Sequence, residues 1–252
     1  MSVLTYTHLD LFAGIGGFSL AAKWLGWQTI GFIEKDEFCQ KVLRKNCGQE
    51  IKIYDDIKQF SGESFRGTNI ITGSFPCQDL SIAGKQAGLG GDRSSLWFEM
   101  LRVITEVRPD WVVIENVANF VRLGLDEVLT GLEALNYASR SFVIPAASVG
   151  AWHKRDKVWI VSDNLLTRDI RNGRSSRIGR RRESQSQTSV NGWCETSKSY
   201  VLWNAEPELG RVVYGLPNQS HRINRLGNAI VPQVAFQILS AIQDADCQRA
   251  RT

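Results

Sequence analysis

Cys77 lies in a loop just after a predicted strand, where its thiol could act as a nucleophile. Cys77 stands in the segment Gly73-Ser-Phe-Pro-Cys-Gln-Asp-Leu-Ser-Ile-Ala-Gly84, directly after the apolar run Asn69-Ile-Ile-Thr72. A loop punctuated by Gly and Pro at the end of a buried strand is stiff, and an open α/β sheet carries its chemistry at that edge. Because a thiolate is a strong nucleophile near neutral pH, covalent catalysis is one interpretation. A lone cysteine is more often a small buried hydrophobic residue. Other segments of the sequence are therefore needed to distinguish a nucleophile from a core residue.

A carboxylate ends a second apolar run. Glu115-Asn-Val117 comes directly after Trp111-Val-Val-Ile114. A carboxyl group at the end of a buried strand is partly desolvated, which favours its neutral form and suits a general acid. The alternative is a solvent-facing glutamate at a strand end, and the strand position by itself does not exclude it.

A glycine-rich segment follows the first predicted strand. Asp10-Leu-Phe-Ala-Gly-Ile-Gly-Gly17 opens a helix, and its glycines let the backbone approach a ligand closely. The dinucleotide pattern GxGxxG is not met, because Ser19 occupies its third position. Glu34 lies about 20 residues after Gly14, the placement of a carboxylate that binds ribose hydroxyls, and Asp56 could reach an adenine amino group. The alternatives are a tight turn without ligand and two surface acids.

Cations form two further groups. In His153-Lys-Arg-Asp-Lys157, Arg155 and Lys157 share one face at period two, so they either clamp an anionic substrate or protect an edge strand by charge. A second group of arginines is either a solvated basic loop or a surface that contacts phosphates. Its members are Arg168, Arg171, Arg174, Arg177, Arg180, Arg181 and Arg182.

The elements that must position these residues alternate between strand and helix patterns. This alternation predicts an α/β fold, with a mainly parallel sheet and helices on both faces. The predicted strands are His8-Leu11, Thr29-Ile33, Ile51-Tyr54, Asn69-Thr72, Trp111-Glu115, Ser139-Ile144 and Lys157-Val161. The predicted helices are Gly17-Leu25, Glu37-Asn46, Ser95-Val107, Asp126-Leu135 and Val231-Ile242, the last with Pro232 in its first turn.

Composition narrows the class of protein. The chain has 252 residues, of which 43% are hydrophobic and 22% charged, with a net charge of +4, as in an ordinary globular enzyme. No apolar run approaches the roughly 20 residues that span a bilayer, and no signal-peptide pattern opens the chain, so we expect a cytoplasmic protein. Five cysteines without a CxxC pair argue against a disulfide framework and a structural zinc site.

In their order along the chain these segments resemble the DNA cytosine-5 methyltransferases of bacterial and phage type. The resemblance covers residues 9–161 and 215–239. It is carried by the glycine-rich segment, by Gly73-Ser-Phe-Pro-Cys-Gln78, by Glu115-Asn-Val117, by His153-Lys-Arg-Asp-Lys157 and by Arg225-Leu-Gly-Asn-Ala-Ile-Val-Pro-Gln233. Two positions depart from the family pattern: Lys157 replaces an arginine and His153 a glutamine.

The resemblance implies a role for each matching residue. Cys77 would be the nucleophile, Glu115 would contact the Watson–Crick edge of cytosine, and Arg155 would support the substrate, which makes these three the catalytic group. The implied S-adenosylmethionine site is formed by Phe12, Gly14, Gly16, Glu34, Asp56, Ile57, Pro76, Leu96 and Asn228. The implied DNA contacts are Arg93, Lys157, Arg174, Arg177 and Arg181.

The resemblance also implies an organisation and partners. We expect a Rossmann-like methyltransferase domain formed by residues 1–162 and 217–252, and a short, loop-rich target-recognition region at 163–216. The expected cofactor is S-adenosylmethionine, with S-adenosylhomocysteine as product and no metal. Double-stranded DNA is the expected partner of a monomer without membrane contact, and a cognate restriction endonuclease is compatible with this assignment.

Two alternatives stay open at this point. A tRNA cytosine-5 methyltransferase would use the same scaffold and chemistry on another substrate. A catalytically silent DNA-binding paralogue would keep the fold without the reaction, although the intact Cys77, Glu115 and glycine-rich segment argue against it. A nicotinamide-dependent enzyme is weaker still, because Ser19 breaks the fingerprint and no site for hydride chemistry is evident.

Overall fold

The structure is a computed structural model that describes residues 6–76, 95–166 and 227–249. Its centre is a seven-stranded sheet with the strand order β3-β2-β1-β4-β5-β7-β6. The strands are β1 (Thr7–Leu11), β2 (Gln28–Ile33), β3 (Ile53–Tyr54), β4 (Ile70–Gly73), β5 (Trp111–Val117), β6 (Tyr137–Pro145) and β7 (Asp156–Asn164). Neighbouring strands from β3 to β5 are parallel, whereas β7 is antiparallel to both β5 and β6. The predicted mixed, mostly parallel α/β sheet is therefore confirmed.

Six α-helices connect or flank these strands in the described ranges. They are α1 (Gly17–Trp24), α2 (Glu37–Cys47), α3 (Ser95–Val107), α4 (Phe120–Leu123), α5 (Leu125–Ala134) and α6 (Pro232–Arg249). Local sequence explains their ends. Asp36 caps α2 by accepting a hydrogen bond from the Cys39 backbone N–H at 2.9 Å, and Pro232 begins α6, where its missing N–H costs nothing. No helix among the described residues is long and apolar enough to cross a membrane.

The central strands β1, β4 and β5 are buried on both faces of the sheet, which explains their continuous apolar runs. Successive residues point to opposite sides: Ile71 and Val112 belong to one hydrophobic cluster, whereas Ile70 and Val113 belong to the other. The first cluster includes Met100 of α3, and the second includes residues of α1 and α6. Helices on both faces thus leave the ends of the strands as the accessible surface of the sheet.

Several elements differ in length from the sequence prediction, most of all β3, β6, β7 and α6, which extends to Arg249. β3 is limited to two residues, while β6 and β7 are longer because they pair with each other through nine residues each. β7 lies between β5 and β6. The interpretation of Arg155 and Lys157 as charges that protect an edge strand is therefore wrong. The predicted domain boundary at residue 162 stays a prediction, although β7 itself runs to Asn164.

The last helix is fastened to the sheet by polar contacts. Asp246 Oδ2 accepts hydrogen bonds from the Tyr6 hydroxyl at 2.8 Å and from Trp111 Nε1 at 3.1 Å. Arg249 forms an ion pair with Asp163 at 2.7 Å and lies over the Trp111 ring. These contacts join residues far apart in sequence, and they bring the segment before α6 back to the first helix.

A polar chain crosses the interior of the sheet. Fully buried His8 contacts the Thr29 hydroxyl through Nδ1 at 3.0 Å and the Thr72 hydroxyl through Nε2 at 2.7 Å. Thr72 donates its proton to Asp10 Oδ1 at 2.9 Å, so its oxygen must accept from a protonated Nε2. His8 is thereby held as the neutral Nε2–H tautomer. Burial lowers the pKa of His8 from 6.5 to about 3.

This histidine predicts a loss of stability in acid. Below pH 6.5 the unfolded chain binds a proton at His8 that the folded chain does not bind until about pH 3, so stability falls as pH decreases through that window. The expected loss at pH 5 relative to pH 7.5 is about 2 kcal/mol. Urea unfolding should show a flatter pH dependence for His8→Gln than for the wild type. The exposed His153→Gln is the matched control, and an equally flat profile for it would contradict the assignment.

Candidate active site

The carboxyl ends of β1, β2 and β4 meet at one edge of the sheet. The chain leaves β1 towards β2 on one side, and β4 continues the sheet on the other side of β1. Such a reversal of strand order opens a crevice at the carboxyl edge, where ligands bind in α/β sheets. The glycine-rich segment follows β1, Glu34 follows β2, and the segment that contains Pro76 follows β4. The structure therefore brings the glycine-rich segment, Glu34 and Pro76 to this edge of the sheet, and their contacts with a cofactor stay a prediction.

Glu34 links the first two loops of the crevice. Its carboxylate accepts a hydrogen bond from the Gly14 backbone N–H at 2.7 Å and one from the Asp36 N–H at 2.7 Å. Each oxygen keeps further acceptor capacity, because a carboxylate offers about four lone-pair sites. Glu34 thus holds the glycine-rich turn in place and can also accept hydrogen bonds from a ligand's hydroxyls.

The two glycines assigned to the cofactor face different surroundings. Gly14, at φ +56°, has open space where a side chain would begin, which leaves room for a ligand against the backbone. A Cβ on Gly16, at φ +88°, would lie 2.9 Å from both Leu43 and Ser19, so this glycine is required for packing. Phe12, a bulky residue, also adopts a positive φ of 54°. Strained backbone of this kind is concentrated at ligand sites.

Asp10 lies beneath the same turn and is fully buried. Burial raises the pKa of Asp10 well above its ordinary value, and the nearby charge of Glu34 raises it further, whereas hydrogen bonds from Thr72 and the Ser19 backbone lower it. Asp10 stands in the glycine-rich segment, but the sequence predicts no role for it. An acid in the fourth position of a five-residue strand offers no signal of this burial, which depends on both neighbouring strands.

The other predicted cofactor residues lie in different surroundings. Asp56 follows β3; it accepts a hydrogen bond from the Lys58 N–H at 3.0 Å and lies 3.6 Å from the Lys35 ammonium. Ile57 is buried in the core, and Leu96 packs against the same cluster from α3. Pro76 is exposed. Their contacts with a cofactor stay predictions.

Glu115 is the buried acid of the site. It is fully buried at the end of β5, where its Oε2 accepts a hydrogen bond from the Ser74 hydroxyl at 2.6 Å. The Lys157 ammonium lies 2.7 Å from Oε1, off the angle of a good hydrogen bond but close enough for a direct ion pair. Only 13% of the Lys157 side chain is exposed. The alternative of a solvent-facing glutamate is therefore wrong, and the predicted DNA contact, Lys157, lies inside against Glu115.

Two contacts tie the segment before Cys77 to this acid. Ser74 reaches Glu115 as described, and the Asn116 side chain donates to the Phe75 carbonyl at 3.2 Å. Both contacts join β5 to the residues that leave β4. Ser74 and Asn116 stand in sequence motifs, but no role is predicted for them, because contacts between residues 41 positions apart leave no local pattern.

Arg155 connects the central region to the C-terminal segment. Its Nη2 donates to the carbonyls of Gly227 and Ala229 at 2.5 and 2.6 Å, on both sides of Asn228. Arg155 has a positive φ of 40°. Ile230 packs so closely on Gly17 that no side chain would fit there. The structure therefore holds the segment that contains Asn228 beside the start of α1.

Five of the predicted site residues lie outside the described residues. They are Cys77, Arg93, Arg174, Arg177 and Arg181. Among residues 6–76, 95–166 and 227–249, no group of His, Cys, Asp and Glu side chains could hold a metal ion.

Comparison with known proteins identifies the family. Residues 6–199 match the family described as C-5 cytosine-specific DNA methylase. The chain belongs to this family. Type II methyltransferase M.HhaI of Haemophilus parahaemolyticus is 34% identical over 157 residues, which cover 61% of this chain and 47% of that protein. Type II methyltransferase M.HpaII of Haemophilus parainfluenzae is 32% identical over 172 residues, 64% of this chain and 47% of that protein.

Solved structures agree with the family at the level of the fold. Spodoptera frugiperda DNMT2 superposes with a TM-score of 0.55 at 21% identity and covers 65% of this chain and 51% of that one. A putative DNA modification methyltransferase from an Escherichia coli prophage gives 0.53 at 20% identity, covering 65% and 48%. The chain thus spans about half the length of the C-5 methylase relatives it matches.

The geometry of Glu34 predicts a loss of cofactor affinity in Glu34→Gln. The amide keeps one acceptor oxygen but replaces the other with a donor, so the carboxylate can no longer hold both backbone N–H groups and a ligand hydroxyl. Hydrogen bonds to charged groups contribute about 1.5–3 kcal/mol, so the dissociation constant for S-adenosylmethionine should rise at least about tenfold in calorimetry. The exposed Glu37→Gln, three residues away, should bind as the wild type does; similar losses in both variants would contradict this role.

Proposed function

We propose that this family member transfers a methyl group from S-adenosylmethionine to C5 of a cytosine in duplex DNA, through a covalent bond between Cys77 and C6. The observation that carries the proposal is the buried Glu115 with its contact to Ser74, three residues before Cys77. A buried acid tied to the nucleophile segment can meet the base that the thiol attacks.

The reaction requires both groups. C5 of cytosine is a poor nucleophile until the Cys77 thiolate adds to C6 and the electron pair of the C5–C6 double bond moves towards C5. Glu115 stabilises this addition by holding a proton at N3. C5 then forms a bond to the methyl group of S-adenosylmethionine. The bond between that methyl group and the sulfonium sulfur breaks at the same time, which releases S-adenosylhomocysteine. Water takes the C5 proton, the C5–C6 double bond re-forms as the C6–sulfur bond breaks, and the N3 proton returns to Glu115, so that the Cys77 thiolate is regenerated.

The crevice supports the methyl donor as the second substrate. Gly14 leaves room for a ligand at the backbone, and Glu34 has acceptor capacity for ribose hydroxyls. We assign Phe12 and Leu96 to the apolar walls of this site and Asp56 to the adenine edge. In this assignment Asn228, held by the two carbonyl contacts of Arg155, closes the site from the C-terminal side.

DNA is the proposed partner because the target atom lies inside a base stack. A thiolate must approach the face of the ring, so the cytosine must leave the duplex before it reacts. The arginines at 168–182 are assigned to phosphate contacts, which position the protein and provide salt-dependent affinity. We further infer a monomeric cytoplasmic enzyme, and a cognate restriction endonuclease would place it in a restriction-modification system.

The test is transfer of labelled methyl groups to three substrates. The purified chain is incubated with methyl-labelled S-adenosylmethionine and unmethylated genomic DNA, bulk tRNA or no acceptor. We expect label in DNA as 5-methylcytosine and none in tRNA. Label in tRNA alone would replace the DNA proposal with a tRNA methyltransferase. Tight DNA binding without any transfer would identify a silent paralogue.

A further inference from the structure

The loop between β6 and β7 carries an exposed aromatic residue that the reaction does not use. Trp152 is 71% exposed, the largest exposure among the six tryptophans in the described residues. Four of the others are at most 7% exposed, and Trp24 is 44% exposed. An isolated exposed apolar side chain is common in soluble proteins, so its surroundings decide whether it has a role.

The loop lies at the edge of the sheet where the proposed chemistry takes place. Pro145 at the end of β6 pairs with Asp156, and Val117 at the end of β5 pairs with Lys157. The connection from residue 146 to residue 155 therefore leaves and re-enters the sheet beside the end of β5, two residues beyond Glu115. Trp152 is presented on the same edge as the proposed cytosine site.

The loop is held firmly on both sides of Trp152. Ala146 donates its N–H to the Lys154 carbonyl at 2.7 Å, which closes the base of the loop, and Ala151 is buried in the core. On the other side, Arg155 is tied to the carbonyls of Gly227 and Ala229. An indole anchored in this way loses little conformational entropy when it meets a flat partner.

The charge around the indole favours a nucleic acid. Lys154 is 81% exposed in its side chain, and its contact with Asp156 is a surface ion pair of small energy, so its ammonium can serve a phosphate. Arg122, on α4 after the same β5, is also exposed. An aromatic face bordered by cations is the combination that binds unstacked bases along a backbone.

We propose that Trp152 stacks on a DNA base left without a neighbour when the target cytosine leaves the duplex, and that Lys154 contacts the adjoining phosphate. This inference rests on the proposed DNA substrate and adds a positioning residue to it. The stacked indole stabilises the opened strand, so it acts on the state in which the base is displaced and less on the intact duplex.

Binding to single-stranded and duplex DNA tests this role. The probes are a fluorescein-labelled 30-nucleotide strand of mixed sequence and its duplex, measured by anisotropy with S-adenosylhomocysteine present. Stacking contributes about 1–3 kcal/mol per base, so Trp152→Ala should bind the single strand about 5- to 150-fold more weakly, with a smaller change on the duplex. Trp152→Phe should retain most of the affinity. Lys154→Ala should weaken both probes and reduce the salt slope by about one unit.

Controls separate this inference from a folding defect and from the proposed function. Trp24→Ala removes the second exposed tryptophan among the described residues, at the C-terminal end of α1, and should leave binding of both probes unchanged. Calorimetry with S-adenosylmethionine should give the same affinity for Trp152→Ala as for the wild type. Equal single-strand affinity of Trp152→Ala and wild type, or equal losses on both probes, would overturn the stacking role while methyl transfer to DNA stood. Failure of the wild type to methylate DNA would instead overturn the proposed function.

Discussion

Cys77→Ala should abolish methyl transfer and leave cofactor binding intact. Without a thiolate, C5 of cytosine has no source of electron density, so the rate should fall at least about 1,000-fold. The direct measurement uses duplex DNA that contains 5-fluorocytosine in place of cytosine. Fluorine at C5 cannot leave as a proton, so the wild type should remain covalently attached and migrate as a protein–DNA adduct on a denaturing gel.

Two other thiols provide the controls for this experiment. Cys39→Ala and Cys47→Ala remove cysteines of α2, of which the first is buried and the second partly buried. Both variants should form the adduct, whereas Cys77→Ala should form none. An adduct that persists in Cys77→Ala would show that another residue attacks the base. Mass spectrometry of the digested adduct identifies the modified peptide in either case.

Glu115→Gln should lower methyl transfer by about 100- to 10,000-fold, the range attributed to a positioned proton donor or acceptor. The amide has nearly the shape of the acid but cannot hold a proton at N3 of cytosine. Single-turnover methyl transfer at saturating DNA and S-adenosylmethionine measures the loss. Adduct formation with 5-fluorocytosine should slow in parallel, because the addition of Cys77 to C6 is the step that Glu115 assists.

A second substitution, at Lys157, separates a loss of catalysis from a loss of stability in Glu115→Gln. Removing the carboxylate leaves the Lys157 ammonium, only 13% exposed, without its ion-pair partner, so Glu115→Gln should also be less stable. In the double variant Glu115→Gln/Lys157→Met the unpaired charge is gone, and stability should recover. Activity should not recover with it. Recovery of activity in the double variant would mean that the single variant failed through the unpaired lysine and not through lost acid catalysis.

The strands of the sheet could be predicted from sequence because each is short, apolar and bounded by turn residues. β1, β2 and β5 begin within two residues of their predicted starts, as does β4, since burial on both faces demands unbroken hydrophobic runs. The order of the strands was not predicted, because the apolar runs do not show which strands pair; the structure gives it as β3-β2-β1-β4-β5-β7-β6. β6 and β7 are longer than predicted because they pair with each other along nine residues and β7 also pairs with β5, and no residue near their ends signals this pairing.

The candidate site likewise combines features that the sequence predicts with contacts that only the structure shows. Glycines with positive φ and a carboxylate after β2 are local signals, and the structure brings Gly14 and Glu34 together at 2.7 Å. The pairing of Lys157 with Glu115 depends on the antiparallel register of β7 against β5, which places Lys157 opposite Val117. In a sequence, alternating cations are equally typical of a DNA contact. Only the pairing of β7 with β5 shows that Lys157 lies against Glu115.

The sequence alone therefore determined the family and the fold class, and it indicated the residues proposed to carry the chemistry, because these depend on motifs within a few residues of each other. The tertiary structure decided what each polar group faces. Asp10 is buried beneath the glycine-rich turn, Ser74 meets Glu115, and Arg155 turns to the backbone on either side of Asn228. The physical reason is that burial, hydrogen bonding and ion pairing are properties of contacts across strands, which a linear pattern does not contain.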